Sequence, residues 1–158
     1  MSVSFRVVGL SSDTFGDLFE LGDEELRERG ARRMTVDAKP GYPCRVSLVD
    51  AEVGEEVILT SFEHHAVDSP FRGEGPIFVR KGAGEAEPAV DEIPEMLERR
   101  LISVRAYDGG GMMMDAEVVD GGGELRGAFD RMLGKGEVAY LHLHNAGPGC
   151  FDCRVERA

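Results

Sequence analysis

The chain has 158 residues, enough to bury one sizeable core without disulfide or metal staples. Hydrophobic residues make up 42% and charged ones 30%, a folded composition, and no apolar run approaches the roughly 20 residues of a membrane helix. With 18 basic against 30 acidic side chains the formal net charge is −12, which repels phosphate backbones and anionic lipid, so neither nucleic acid nor a membrane is expected as a partner. The opening MSVSFRVVGL lacks the basic flank and long apolar core of a secretory signal, and three cysteines are an odd number for a disulfide framework. Both point to a reducing cytoplasm.

In chain order, residues 4–8 alternate weakly as a first strand. Ser12 or Asp13 is placed to cap a short helix carrying Phe15, Leu18 and Phe19, and Asp23 to cap another that Gly30 ends. Strands are predicted over residues 33–37 and 44–49, the second with Cys44, Val46 and Leu48 on one face. A hairpin connection leads into a strand over 56–62, with His64 and His65 at its end. Residues 69–76 are too rich in Gly and Pro for regular structure and lead into a strand over 77–80; 82–88 form a polar loop. Pro94 marks the first turn of a helix over 92–100, followed by a strand over 102–107. Residues 111–119 read as a strand whose Met112, Met113 and Met114 fill core. Leu125, Ala128, Phe129, Met132 and Leu133 keep helical spacing up to Gly134.

Runs of strands interrupted by two or three helices, without regular alternation, predict one α+β domain over residues 1–158. Its expected form is a mainly antiparallel, curved sheet with the helices on one side.

The chemistry concentrates in YLHLHNAGPGC, residues 140–150. As a strand it turns Tyr140, His142 and His144 to one face and Leu141 and Leu143 to the other, then a Gly-Pro-Gly turn delivers Cys150. Histidines at i and i+2 have Cα atoms roughly 7 Å apart on one face and can grip one metal. The HxH pair resembles the first metal motif of cupins, but no glutamate follows it. Further ligands would come from Cys150, Cys44, His64 or His65. Cys150 and Cys153 have CxxC spacing, yet the residues after Cys150 look extended rather than helical, which suits a turn cysteine and a structural one better than a redox pair. The glycine-rich stretches lack the residues of dinucleotide and phosphate loops, and no serine stands in a GxSxG elbow.

Three ordered stretches, DAKPGYPCRVSL (37–48), SPFRGEGPIFVR (69–80) and YLHLHNAGPGC, together resemble a bacterial family, domain of unknown function 1203, over essentially the whole chain. The resemblance implies no activity, cofactor or partner. It does imply a shared site at Cys44, Arg45, Arg72, His142, His144, Asn145 and Cys150. Each stretch is a Gly/Pro turn joined to a strand, a frame that holds functional side chains rigidly.

The expectation is therefore a small cytoplasmic protein with a Cys/His/Arg pocket for a small anionic molecule, Arg45 and Arg72 acting as forks for its carboxylate or phosphate. If it is catalytic, Cys150 is the nucleophile or redox thiol and His144 or His142 its base. Two alternatives stand beside it: a metal-binding protein built on His142 and His144, and a non-catalytic interaction or structural module. Geometrically, at least three of Cys44, His142, His144 and Cys150 should line one pocket, with Arg45 or Arg72 at its rim and Tyr140 in its wall.

Overall fold

A computed structural model describes residues 2–158. Its elements are β1 (Phe5–Val8), α1 (Asp23–Glu28), β2 (Arg32–Thr35), β3 (Glu56–His65), β4 (Gly73–Arg80), α2 (Glu95–Glu98), β5 (Leu101–Tyr107), β6 (Met113–Asp120), α3 (Leu125–Leu133), β7 (Tyr140–Asn145) and β8 (Phe151–Arg157). The strand ladders are antiparallel, as expected of an α+β chain. They form two sheets, however, not one: β1-β8-β7-β5-β6 and β2-β3-β4. The Gly/Pro turn folds β3 and β4 into a long local hairpin that β2 completes, while β1 and β8 pair near the two ends of the chain.

The larger sheet sorts its side chains by parity. Leu141 and Leu143 on β7 and Ile102, Val104 and Ala106 on β5 join one core with Phe129, Met132 and the other apolar residues of α3. Phe5 meets Phe129 edge-on at 4.9 Å between ring centroids. Burying each such side chain contributes roughly 1.5–3 kcal/mol before ordering entropy is counted. The residues of opposite parity on β7, Tyr140, His142 and His144, are left to face the other way, and they too are buried.

Several local expectations are corrected. Residues 44–49 do not form a strand. Cys44, Val46 and Leu48 are buried, as their alternation suggested, but Leu48 turns through a positive φ of 55° and its N–H bonds back to the Cys44 carbonyl. The carbonyls of Arg45 and Val46 go to Leu10 and Ala86, so the backbone is satisfied piecemeal. The residues after Ser11 form two 3₁₀ turns, and Gly22, not Asp23, caps α1, its N–H held by the Glu25 carboxylate. β3 runs on through His64 and His65, and β4 starts at Gly73, inside the stretch expected to be irregular. Met112 and Met114 are exposed rather than core residues, because Met114 stands near the start of β6, an edge strand, and Met112 just before it.

The predicted helix over 92–100 is cut to the single turn of α2. The Arg100 carbonyl is taken by the N–H of Gly121, which ties the helix end to the end of β6. Gly121 fits there only because it has no side chain: a Cβ would lie 1.9 Å from the Leu97 carbonyl oxygen. Gly121→Ala is expected to destabilise the fold by on the order of 3 kcal/mol, read as a lowered urea midpoint.

Candidate functional site

Where the two sheets meet, β3 of the smaller one brings His64 and His65 against the inward histidines of β7. One ring nitrogen from each of His64, His142 and His144 forms a set whose members all lie within 4.8 Å of one another. The ring centroids of His64 and His144 are 5.1 Å apart and those of His64 and His142 6.3 Å. Phe151, opposite His144 in the β7–β8 ladder, stacks flat on His64 and meets the other two rings edge-on. Gly73 lies under His64, where a Cβ would come within 3.1 Å of Cε1.

A backbone hydrogen bond decides the tautomer of His144. A carbonyl only accepts, so His144 Nδ1–H donates to Gly149 O at 2.9 Å and leaves its Nε2 bare. That Nε2, with His64 Nδ1 and His142 Nδ1, is buried and has no partner among the described residues. His65 is different. Its Nδ1–H donates to Phe71 O at 2.8 Å, and its Nε2 accepts from the Tyr140 hydroxyl at 2.6 Å, so both nitrogens are spent. Tyr140 thus stands beside His142, at 5.3 Å between centroids, and braces the junction of the sheets.

Burial pushes the His142 imidazolium down to about 2 and that of His144 to about 4, the bond to Gly149 offsetting part of the second shift. His64 is lowered too, chiefly by burial. All three are neutral near pH 7, with lone pairs free. In the unfolded chain they take up protons near pH 6.5, so the unfolded state binds more protons as the pH drops and stability falls with it. Asp152, raised by burial to about 6, opposes this between its two values because its folded form keeps the proton. The histidines outweigh it. The metal-free protein is expected to be about 2 kcal/mol less stable at pH 5.5 than at pH 7.5 in urea titrations.

A second group lies at the far end of β7. Arg45 is 1% exposed and donates from Nε to Phe151 O at 2.7 Å, from Nη1 to Pro43 O at 2.6 Å and from Nη2 to Cys150 Sγ at 3.2 Å. Asn145 Nδ2 donates to the same sulfur at 3.4 Å. The fully buried Asp152 places a carboxylate oxygen 3.5 Å from Arg45 Nη2. Cys150 is half-buried at the wall of a cleft of about 550 Å³.

The residues expected to share a pocket thus divide. His142 and His144 come together with His64; Arg45, Asn145 and Cys150 form the neighbouring group. Cys44 is in neither, buried with Phe15, Val46, Ile77 and Val79 and accepting the Arg80 N–H. Arg72, on the surface, pairs with Glu63. Cys150 has no hydrogen bond to a histidine, and Cys153 is inside the main core, so the CxxC spacing makes no pair. His64 was legible only as part of the His64-His65 doublet, and Asp152, one of four charged residues in FDCRVER, carried no signal.

The sequence profile of a family described as Protein of unknown function (DUF1203) matches residues 41–157. The chain belongs to the DUF1203 family. The DUF1203 match takes in all three histidines, Arg45, Asn145 and Cys150, whereas β1, α1 and β2 precede it. No curated protein and no solved structure matches the chain.

Proposed function

We propose that this DUF1203 protein is a metal-binding protein holding one divalent transition-metal ion, zinc foremost, through His64, His142 and His144. The observation that carries the reading is the convergence of three neutral imidazoles from two sheets, His142 and His144 buried and His64 half-buried, each with an unpartnered nitrogen and with one ring nitrogen from each within 4.8 Å of the others. Buried polar atoms ordinarily have partners, and an unpartnered nitrogen on each of three clustered rings makes one shared partner the economical explanation. Zinc needs nitrogens about 2.0–2.1 Å from the ion, so the rings close inward by small rotations. The His144 bond to Gly149 supplies the outer-shell contact that fixes a ligand's tautomer.

All-imidazole ligation suits zinc, copper, iron and nickel over calcium or magnesium. Three protein ligands leave a fourth position for water or a small molecule, where zinc supplies Lewis acidity and an activated water. Entry would pass His64, the most exposed of the three. The anionic-ligand reading has less support, since Arg45 donates to protein acceptors and Arg72 is tied to Glu63. Three free cysteines suit the reducing cytoplasm, and the charge of −12 suits a protein that works without nucleic acid.

Elemental analysis of protein purified without an affinity tag tests this. The expected content is about one ion per chain, falling to trace levels in His64→Ala or His144→Ala. Wild-type protein that carries no metal and takes none up from zinc solution rejects the reading.

A further inference from the structure

The histidine centre leaves unused the group around Cys150, and that group has the parts of a separate thiol site. Two N–H donors, one of them cationic, converge on the sulfur from Arg45 and Asn145. Donors so arranged stabilise negative charge as it develops on sulfur during reaction. Asn145 is 93% buried by its 7% exposure, lines the cleft beside Cys150, and keeps its Oδ1 without a partner. Asp152 places a carboxylate oxygen 3.5 Å from Nη2 of the same guanidinium. The remaining wall is apolar, with Leu59, Pro76, Phe78, Leu101 and Pro148. The cations at the cleft are already neutralised, Arg45 by Asp152 and Arg100 by Asp50, so an anion finds no free partner there.

We infer that the cleft takes a neutral organic hydroperoxide, its hydrocarbon part against the apolar wall, and that Cys150 reduces it. The thiolate attacks the outer oxygen of R–O–OH, forming the S–O bond as the O–O bond breaks. The sulfur is oxidised to the sulfenic acid, and the alkoxide leaves, taking a proton to become the alcohol R–OH. The Arg45 guanidinium is next to the sulfur, where negative charge moves from sulfur to oxygen. Cys44 and Cys153 are fully buried, so a small external thiol completes the cycle. Two thiol equivalents return Cys150 to the thiol and release a disulfide and water. No histidine enters the scheme, since none is bonded to Cys150.

The test uses the full chain in EDTA, which separates it from the metal reading. Cumene hydroperoxide and hydrogen peroxide are each supplied with dithiothreitol, and a dimedone probe with mass mapping locates sulfenic acid. The expected results are turnover of cumene hydroperoxide on the order of 10² faster than by free cysteine, and label at Cys150. Cys150→Ser abolishes both while the thermal midpoint stays close to that of the wild type. Leu101→Asp, on an exposed wall residue, lowers the preference for cumene hydroperoxide over hydrogen peroxide by about tenfold. Consumption no faster than by free cysteine, label on another cysteine, or equal rates with the two peroxides in the wild type would overturn the proposal.

Discussion

Arg45→Met is expected to destabilise the protein by about 3–5 kcal/mol. The side chain is 1% exposed and bonds to Phe151 O, Pro43 O and Cys150 Sγ while facing Asp152. Methionine fills much of the volume but leaves two buried carbonyls and a fully buried carboxylate without partners. Burial already raises Asp152 to about 6 against the pull of Arg45, so without the guanidinium its charged form is costlier still. Arg45→Met combined with Asp152→Asn should therefore lose less than the sum of the single changes. A urea-unfolding cycle over the four proteins reads this coupling, and strict additivity would show that the pair contributes nothing.

Zinc is expected to stabilise the wild type by about 2.7 kcal/mol at a free concentration a hundredfold above its dissociation constant. For a chain of this size, that is a rise of roughly 5–10 °C in the thermal midpoint. His142→Ala or His144→Ala should remove the rise, because two remaining imidazoles do not close a site. His65→Ala should keep most of it, since both nitrogens of His65 are bound to Phe71 and Tyr140 and offer no ligand atom. A zinc response unchanged in the His142 and His144 variants would assign the effect elsewhere.

The physics explains which parts of this were legible in the sequence. The period-two pattern of residues 140–145 fixed which β7 side chains share a face, and helical spacing fixed the buried side of α3, because burial on one face leaves a direct imprint on residue order. The same reasoning misread residues 44–49. There the buried residues alternate, yet the backbone bonds to several segments, a distinction that no side-chain pattern carries. The two-sheet division depends on which strands meet across the whole chain, as β1 does with β8, and local sequence says little about such pairings.

The site divides similarly. His142 and His144 could be grouped from spacing alone, while Arg45, Asn145 and Cys150 were joined only by the family resemblance, in one site with Cys44, Arg72 and the histidines. The partner that completes the histidine set, His64, lies 78 positions before His142 and on another sheet, so the sequence offered it only beside Cys150, Cys44 and His65, and the tertiary fold selects it. Nor did the sequence reveal that Arg45 would turn inward to Cys150 and Asp152, since arginine is usually a surface residue.

X-ray absorption at the zinc edge tests the three-histidine centre most directly. On zinc-loaded protein the account predicts three imidazole nitrogens at about 2.0–2.1 Å, with one further light atom from solvent. A sulfur at about 2.3 Å would bring in a cysteine as ligand, and a shell of oxygens without imidazole would put the ion on the acidic surface. Either result would contradict ligation by His64, His142 and His144.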